Sequence, residues 1–287
     1  MEDNSLFYKV VIGKFEDDKY RKIIDEIRSF ILNNYVNKLK ERSSFHKYIV
    51  NTDQKLQQLV NEIRHSKNIM NDICSQYKNC DITSLDNTDE LYISHYNIDG
   101  GGDQGLYNKH YDGVLRIIKN ATIVRALIYV NSNDDFVVHF LDSNVSRHFN
   151  NYEYGILDFN REYHFVDGKY NEKIDYKDSR ILLKLNYLVC PKCSKTYTEL
   201  LIFINAMIFF IVKKSMEYSK SPQNPFQYFI GFFCNLFRVV NNISVYLTFL
   251  LIIFLILLIY LLFYFVIKYL FYFKNKNKNK IKSRVRL

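Results

Sequence analysis

Tyr107-Asn108-Lys109-His110-Tyr111-Asp112-Gly113 sets an imidazole and a carboxylate two residues apart, where a stretch rich in β-branched and aromatic residues begins. On a strand, alternate side chains share a face, so the spacing predicts that His110 and Asp112 project together. They supply two of the three donors of a two-histidine, one-carboxylate set, which holds Fe(II) on one side and leaves its other positions open. One more histidine is then required. Working outward, residues 122–130 form a strand-like apolar run, 131–135 a polar turn, and 136–141 a second apolar run. A further strand at 154–159 leads into Arg161-Glu162-Tyr163-His164, which brings a second histidine in on a strand. A last apolar strand covers 180–189 and opens on Arg180.

This order is similar to that of the Fe(II)/2-oxoglutarate-dependent dioxygenases, in particular the prolyl-4-hydroxylase-like branch, over about residues 90–190. Its elements are a His-x-Asp pair, short strands, a second histidine after Gly155-x-x-x-Phe159, and a basic residue opening the final strand. The resemblance implies a mainly β fold with N-terminal helices, its core a double-stranded β-helix (jelly roll). It implies His110, Asp112 and His164 as iron ligands. Arg180 would pair with the distal carboxylate of 2-oxoglutarate, with Lys184 on the same strand face as the alternative. It also implies O2 as a reactant, ascorbate as an accessory reductant, and hydroxylation of an unidentified substrate, a protein among the candidates, with release of succinate and CO2. The segment between His164 and Arg180 is longer than in the collagen-type hydroxylases and is filled by polar residues 167–179.

The net charge of +9 raises a nucleic-acid reading that its distribution argues against. Lys274, Lys276, Lys278, Lys280, Lys282, Arg284 and Arg286 stand at the C-terminus with no acid among them, and residues 1–194 are slightly acidic. No nucleic-acid partner is expected. The basic excess lies beside apolar segments, as juxtamembrane charge does. Residues 244–267 carry no charge, and at 1.5 Å per residue they would make about 36 Å of helix against a hydrocarbon core of about 30 Å. They predict a C-terminal transmembrane α-helical region.

The chain then divides into 1–80, a helical support region; 81–194, the dioxygenase-like domain; 195–242, apolar and amphipathic membrane-associated helices; 243–273, the transmembrane helix; and 274–287, a polybasic tail. Helical spacing of Ile23, Ile24, Ile27 and Ile31, and of Leu56, Leu59, Val60 and Ile63, underlies the first. The partner of the last three is a membrane, with the catalytic domain facing the cytosol. A membrane-anchored binding or structural protein with a metal-free jelly roll is the alternative.

Cys74, Cys80, Cys190 and Cys193 are either a structural zinc set or free thiols of a reducing compartment. Gly100-Gly101-Gly102-Asp103-Gln104-Gly105 fits the dinucleotide-binding spacing but runs into Leu106-Tyr107-Asn108 rather than into a helix, so it reads as a loop beside the site. His95 lacks an acid two residues on, and His139 and His148 read as structural or solvated.

Overall fold

In this computed structural model the chain is described over residues 9–35, 44–77, 80–94, 109–113, 121–168, 178–220 and 223–243, with scattered positions between 247 and 268. The expected loop at 100–105 and the polybasic tail lie outside the described residues, and the apolar run 244–267 does so in large part.

Among the described residues, ten strands make two antiparallel sheets. In chain order they are β1 Val11–Lys14, β2 Ser44–Tyr48, β3 Ile82–Ser84, β4 Glu90–Ser94, β5 Thr122–Asn131, β6 Phe136–Phe140, β7 Val145–Arg147, β8 Glu153–Asp158, β9 His164–Gly168 and β10 Arg180–Val189. The large sheet runs β1-β8-β5-β10-β4-β2, with β3 also on β10, and the small sheet runs β7-β6-β9.

Alternation along β10 shows why two layers form on the large sheet. Ile181, Leu183, Leu185, Tyr187 and Val189 point to one face and join a core completed by helices α1 Asp18–Asn34, α2 Gln54–Arg64 and α3 Lys67–Cys74. Asp17 and Asp53 cap the first two helices through backbone N–H groups of Lys19 and Lys55. Each Ile or Leu buried there contributes about 1.5–3 kcal/mol. Leu182 points the other way and, with Tyr92, Leu127 and Tyr129, packs against Phe136, Val138, Phe140 and Val166 of the small sheet. Arg180, Lys184 and Asn186 share that second parity, so the strand directs its polar side chains to the space between the sheets.

Two further helices are α4 Lys195–Lys220 and α5 Pro225–Ile243. The chain divides into two units, residues 1–217 and 218–287, and α5 belongs to the second. Leu201 of α4 is buried against Leu85, Ile123, Phe159 and Leu188 of the first unit.

Two expectations are corrected. A jelly roll divides eight strands between two sheets, whereas seven strands pair here in one sheet and three in the other, with a helical layer over the large one. Among the described residues no helix is long and apolar enough to cross a membrane. Lys213, Lys214 and Glu217 interrupt α4, and Arg238 stands in α5. That finding overturns the expected membrane anchor, and with it the membrane location expected for the chain.

Candidate metal centre

His164 opens β9, and His110 extends the same small sheet by one bridge. The His110 N–H donates to the His164 carbonyl at 2.9 Å, and the His164 N–H returns the bond at 3.0 Å. The approach to His164 is set by Asp158, whose Oδ1 accepts from the backbone N–H of Asn160 and Arg161 at 2.9 and 3.0 Å and so folds the chain back after β8. The approach to Asp112 is set from the same turn, where the Gly113 N–H donates to the Phe159 carbonyl at 2.9 Å.

These contacts bring one donor atom each from His110, Asp112 and His164 within 4.8 Å of one another. The His110 Nε2 lies 3.4 Å from Asp112 Oδ1, and the His164 Nε2 lies 3.6 Å from Asp112 Oδ2. Nδ1 of His164 faces the Glu162 carbonyl at 3.0 Å. A carbonyl only accepts, so the proton is assigned to Nδ1, and Nε2 keeps its lone pair toward Asp112.

The protonation states suit metal binding. Burial pushes the His164 pKa down to about 4, against the opposing pull of the Asp112 charge, which leaves a neutral imidazole at neutral pH. Burial opposes ionisation of Asp112, but the Arg125 cation and the two histidines outweigh it and hold the carboxyl well below its usual range.

Arg125, in the middle of β5, is 3 % exposed. Its Nη1 donates to Asp112 Oδ2 at 2.7 Å, its Nη2 to Glu90 Oε1 at 3.2 Å and its Nε to Asn186 Oδ1 at 2.9 Å, and it lies 4.3 Å over the Phe159 ring. Burial would push the Glu90 carboxyl up; Arg125, Lys184 and the His46 hydrogen bond overcome it and hold Glu90 at about 2. An acid whose folded pKa lies below its unfolded value gives stability that is present above the unfolded value and lost as the pH falls to the folded one. The window for Glu90 therefore runs from about 4.5 down to about 2, and the loss amounts to about 3 kcal/mol at 1.36 kcal/mol per unit. Denaturant titrations at intervals across that range should show stability falling less steeply in Glu90→Gln than in the native chain.

Gly113 is a steric requirement of the same site. A Cβ there would overlap the Asn160 Oδ1 and the Phe159 ring that covers Arg125. Gly113→Ala is expected to lose about 1–3 kcal/mol, as overpacked positions do, read as a lower urea midpoint at unchanged slope.

Arg180 is 2 % exposed. Its Nε donates to Ser94 Oγ at 3.2 Å, and its guanidinium lies 4.4 Å over the Phe136 ring, but Nη1 has no hydrogen-bond partner among the described residues. The Tyr129 hydroxyl, also buried, is likewise without one. Lys184 differs, because its Nζ lies 3.8 Å from Glu90 Oε2.

Four of the five cysteines stand as two sulfur–sulfur pairs, Cys74 with Cys80 and Cys190 with Cys193. Cys80 packs toward the helical layer and Cys190 belongs to a cluster on the opposite face of the large sheet. The cluster of three donors that can hold a metal ion, among the described residues, is His110, Asp112 and His164. His139 stacks on Phe165 and hydrogen-bonds Ser146, and His148 is exposed.

No protein-family model matches the chain, and no curated protein matches it. Among solved structures, a crystal structure described as a "Putative oxygenase from Shewanella oneidensis" matches at 14% identity and a TM-score of 0.32, over 62% of this chain and 80% of that one. A likeness of that degree carries no weight for activity, and the site's own geometry has to.

Proposed function

We propose that the chain is an oxygenase that binds Fe(II) through His110, Asp112 and His164 and uses 2-oxoglutarate and O2 to hydroxylate a C–H bond of a separate substrate. The observation that carries this reading is the convergence of two imidazoles and an ionised carboxylate in one cluster, His164 buried and His110 and Asp112 partly exposed, the donor set of non-haem iron oxygenases. The donors fit the ion chemically: His164 is neutral with a lone pair facing inward, and Asp112 is anionic. Bound there, iron would supply the O2 and electron-transfer chemistry that side chains lack.

The remaining tasks fall to the protein. Asp112 and Glu90 offset Arg125 and Lys184, so a divalent ion together with Arg180 would bring three positive charges to the site, and an anionic ligand would offset two of them if it carried two carboxylates. Arg180 suits its distal carboxylate better than Lys184 does, because Lys184 already has Glu90 as a counter-ion while Arg180 Nη1 and the Tyr129 hydroxyl have open donor positions. Tyr92 and Phe136, flanking Arg180, keep water from that end and strengthen a charge-assisted pair.

Reconstitution of the full chain with Fe(II) under nitrogen, followed by 2-oxoglutarate and O2 with ascorbate throughout as the reductant in place of the hydroxylation substrate, tests the reading. Succinate should form only when all three are present, and not with His164→Ala. Stoichiometric iron with no succinate at any 2-oxoglutarate concentration would refute the cosubstrate assignment.

A further inference from the structure

A continuous chain of polar contacts leaves the candidate centre and crosses the large sheet to its edge. From Asp112 it passes to Arg125 on β5, to Glu90 on β4, and to His46 on β2, whose Nε2 lies 3.0 Å from Glu90 Oε2. The strands between are in register for this: Arg125 faces Asn186 across β5 and β10, and Lys184 faces Glu90 across β10 and β4. Glu90 thus meets Arg125 on the diagonal and Lys184 directly, on the face between the sheets.

An acid 8 % exposed at the start of β4, one strand in from the edge, carries a desolvation penalty that an apolar residue would not. Its position relative to Arg125 gives it work at the centre. The guanidinium is held at all three of its donor directions, by Asn186, Asp112 and Glu90, and from one face by Phe159. Were Glu90 uncharged, Asp112 would be the only carboxylate against the Arg125 cation. The carboxylate would be drawn into that ion pair, and its electron density would be less available to a metal. With Glu90 ionised, Arg125 divides its charge between two acids and orients Asp112 without monopolising it.

We infer that Glu90 is a positioning residue for the metal centre, acting through Arg125 on the orientation and donor strength of Asp112. The inference rests on the metal-site reading given above. A merely structural Glu90 would neutralise buried cations and influence stability alone.

Co(II) titration of the full chain under nitrogen, followed by its visible absorption, separates these roles, with thermal melts of each variant alongside. Glu90→Gln keeps the shape and an acceptor for Arg125 but removes the charge. It is expected to weaken Co(II) binding by about 10–100-fold, as loss of an outer partner of a metal ligand does, and to shift the absorption of the bound ion. In an Arg125→Gln background the same substitution should change affinity by no more than about twofold, the range of independent sites. Glu90→Asp retains the charge at shorter reach and serves if the glutamine variant does not fold; it should weaken binding and shift the spectrum in the same direction to a smaller extent. A folded Glu90 variant with native affinity and spectrum overturns the inference, as does an equal loss with and without Arg125. Native chain that shows no Co(II) absorption sensitive to His164→Ala would instead overturn the metal site, and this inference with it.

Discussion

Asp112→Asn should reduce Fe(II) affinity by more than the about 10–100-fold typical of an outer-partner substitution, and should abolish 2-oxoglutarate turnover. The amide preserves the shape of the side chain and removes its charge. Without that charge the centre keeps two imidazoles, 4.6 Å apart between ring centroids, and loses its one anionic donor. Arg125, 3 % exposed, keeps Glu90 as counter-ion, so the fold has a route to remain intact. Anaerobic equilibrium dialysis with metal analysis measures the affinity, and a melt under the same conditions shows whether the variant is folded. Native affinity in a folded Asp112→Asn chain would remove Asp112 from the ligand set.

Arg180→Met carries the second large effect, and its two readouts should move differently. The 2-oxoglutarate concentration needed for half-maximal succinate formation should rise about tenfold to hundredfold, the equivalent of the 1.5–3 kcal/mol of a hydrogen bond to a charged group. Stability of the chain without cosubstrate should stay level or increase. Arg180 is a buried cation whose Nη1 has no partner among the described residues, and an apolar side chain of similar length avoids its desolvation. Iron affinity should be little altered, since no ligand contact of Arg180 is involved. If Lys184→Met raises the 2-oxoglutarate requirement and Arg180→Met does not, the anchor is Lys184, and the Lys184–Glu90 contact gives way when the cosubstrate binds.

The sequence was informative where a residue type and a short-range period jointly define an environment. The near-continuous apolar run over 180–189 is that of a strand buried on both faces, and β10 occupies those positions. The two-residue spacing of His110 and Asp112 predicted a shared strand face, whereas the structure has a single bridge at His110 and a bend at Asp112; the two side chains converge with His164, 52 residues beyond Asp112, without the strand. The arrangement of strands was not legible in the same way. β2 reads Ser-Phe-His-Lys-Tyr, without the apolar alternation that announces a half-buried strand, because it lies at an edge. β1 and β3 are four and three residues long, too short for periodicity to register.

Arg125 and Glu90 were missed for a more instructive reason. Each was absorbed into the apolar or β-rich stretch around it, when a lone charge inside such a run was itself the signal. A buried charge is costly unless it is paired, and following that expectation from Arg125 leads to Asp112 and Glu90. The C-terminal reading failed differently: hydropathy over 244–267 was taken as a span, whereas among the described residues no helix is long and apolar enough to cross a membrane.

The central claim is that His110, Asp112 and His164 share one metal ion. Crystals of the full chain grown with Mn(II) or Co(II) and measured at the metal absorption edge locate that ion by its anomalous scattering. The account predicts a single strong peak about 2.0–2.3 Å from a nitrogen of each histidine and from a carboxylate oxygen of Asp112, distances usual for such donors. A strong peak elsewhere with none among these three side chains, in crystals grown at saturating metal, would contradict it.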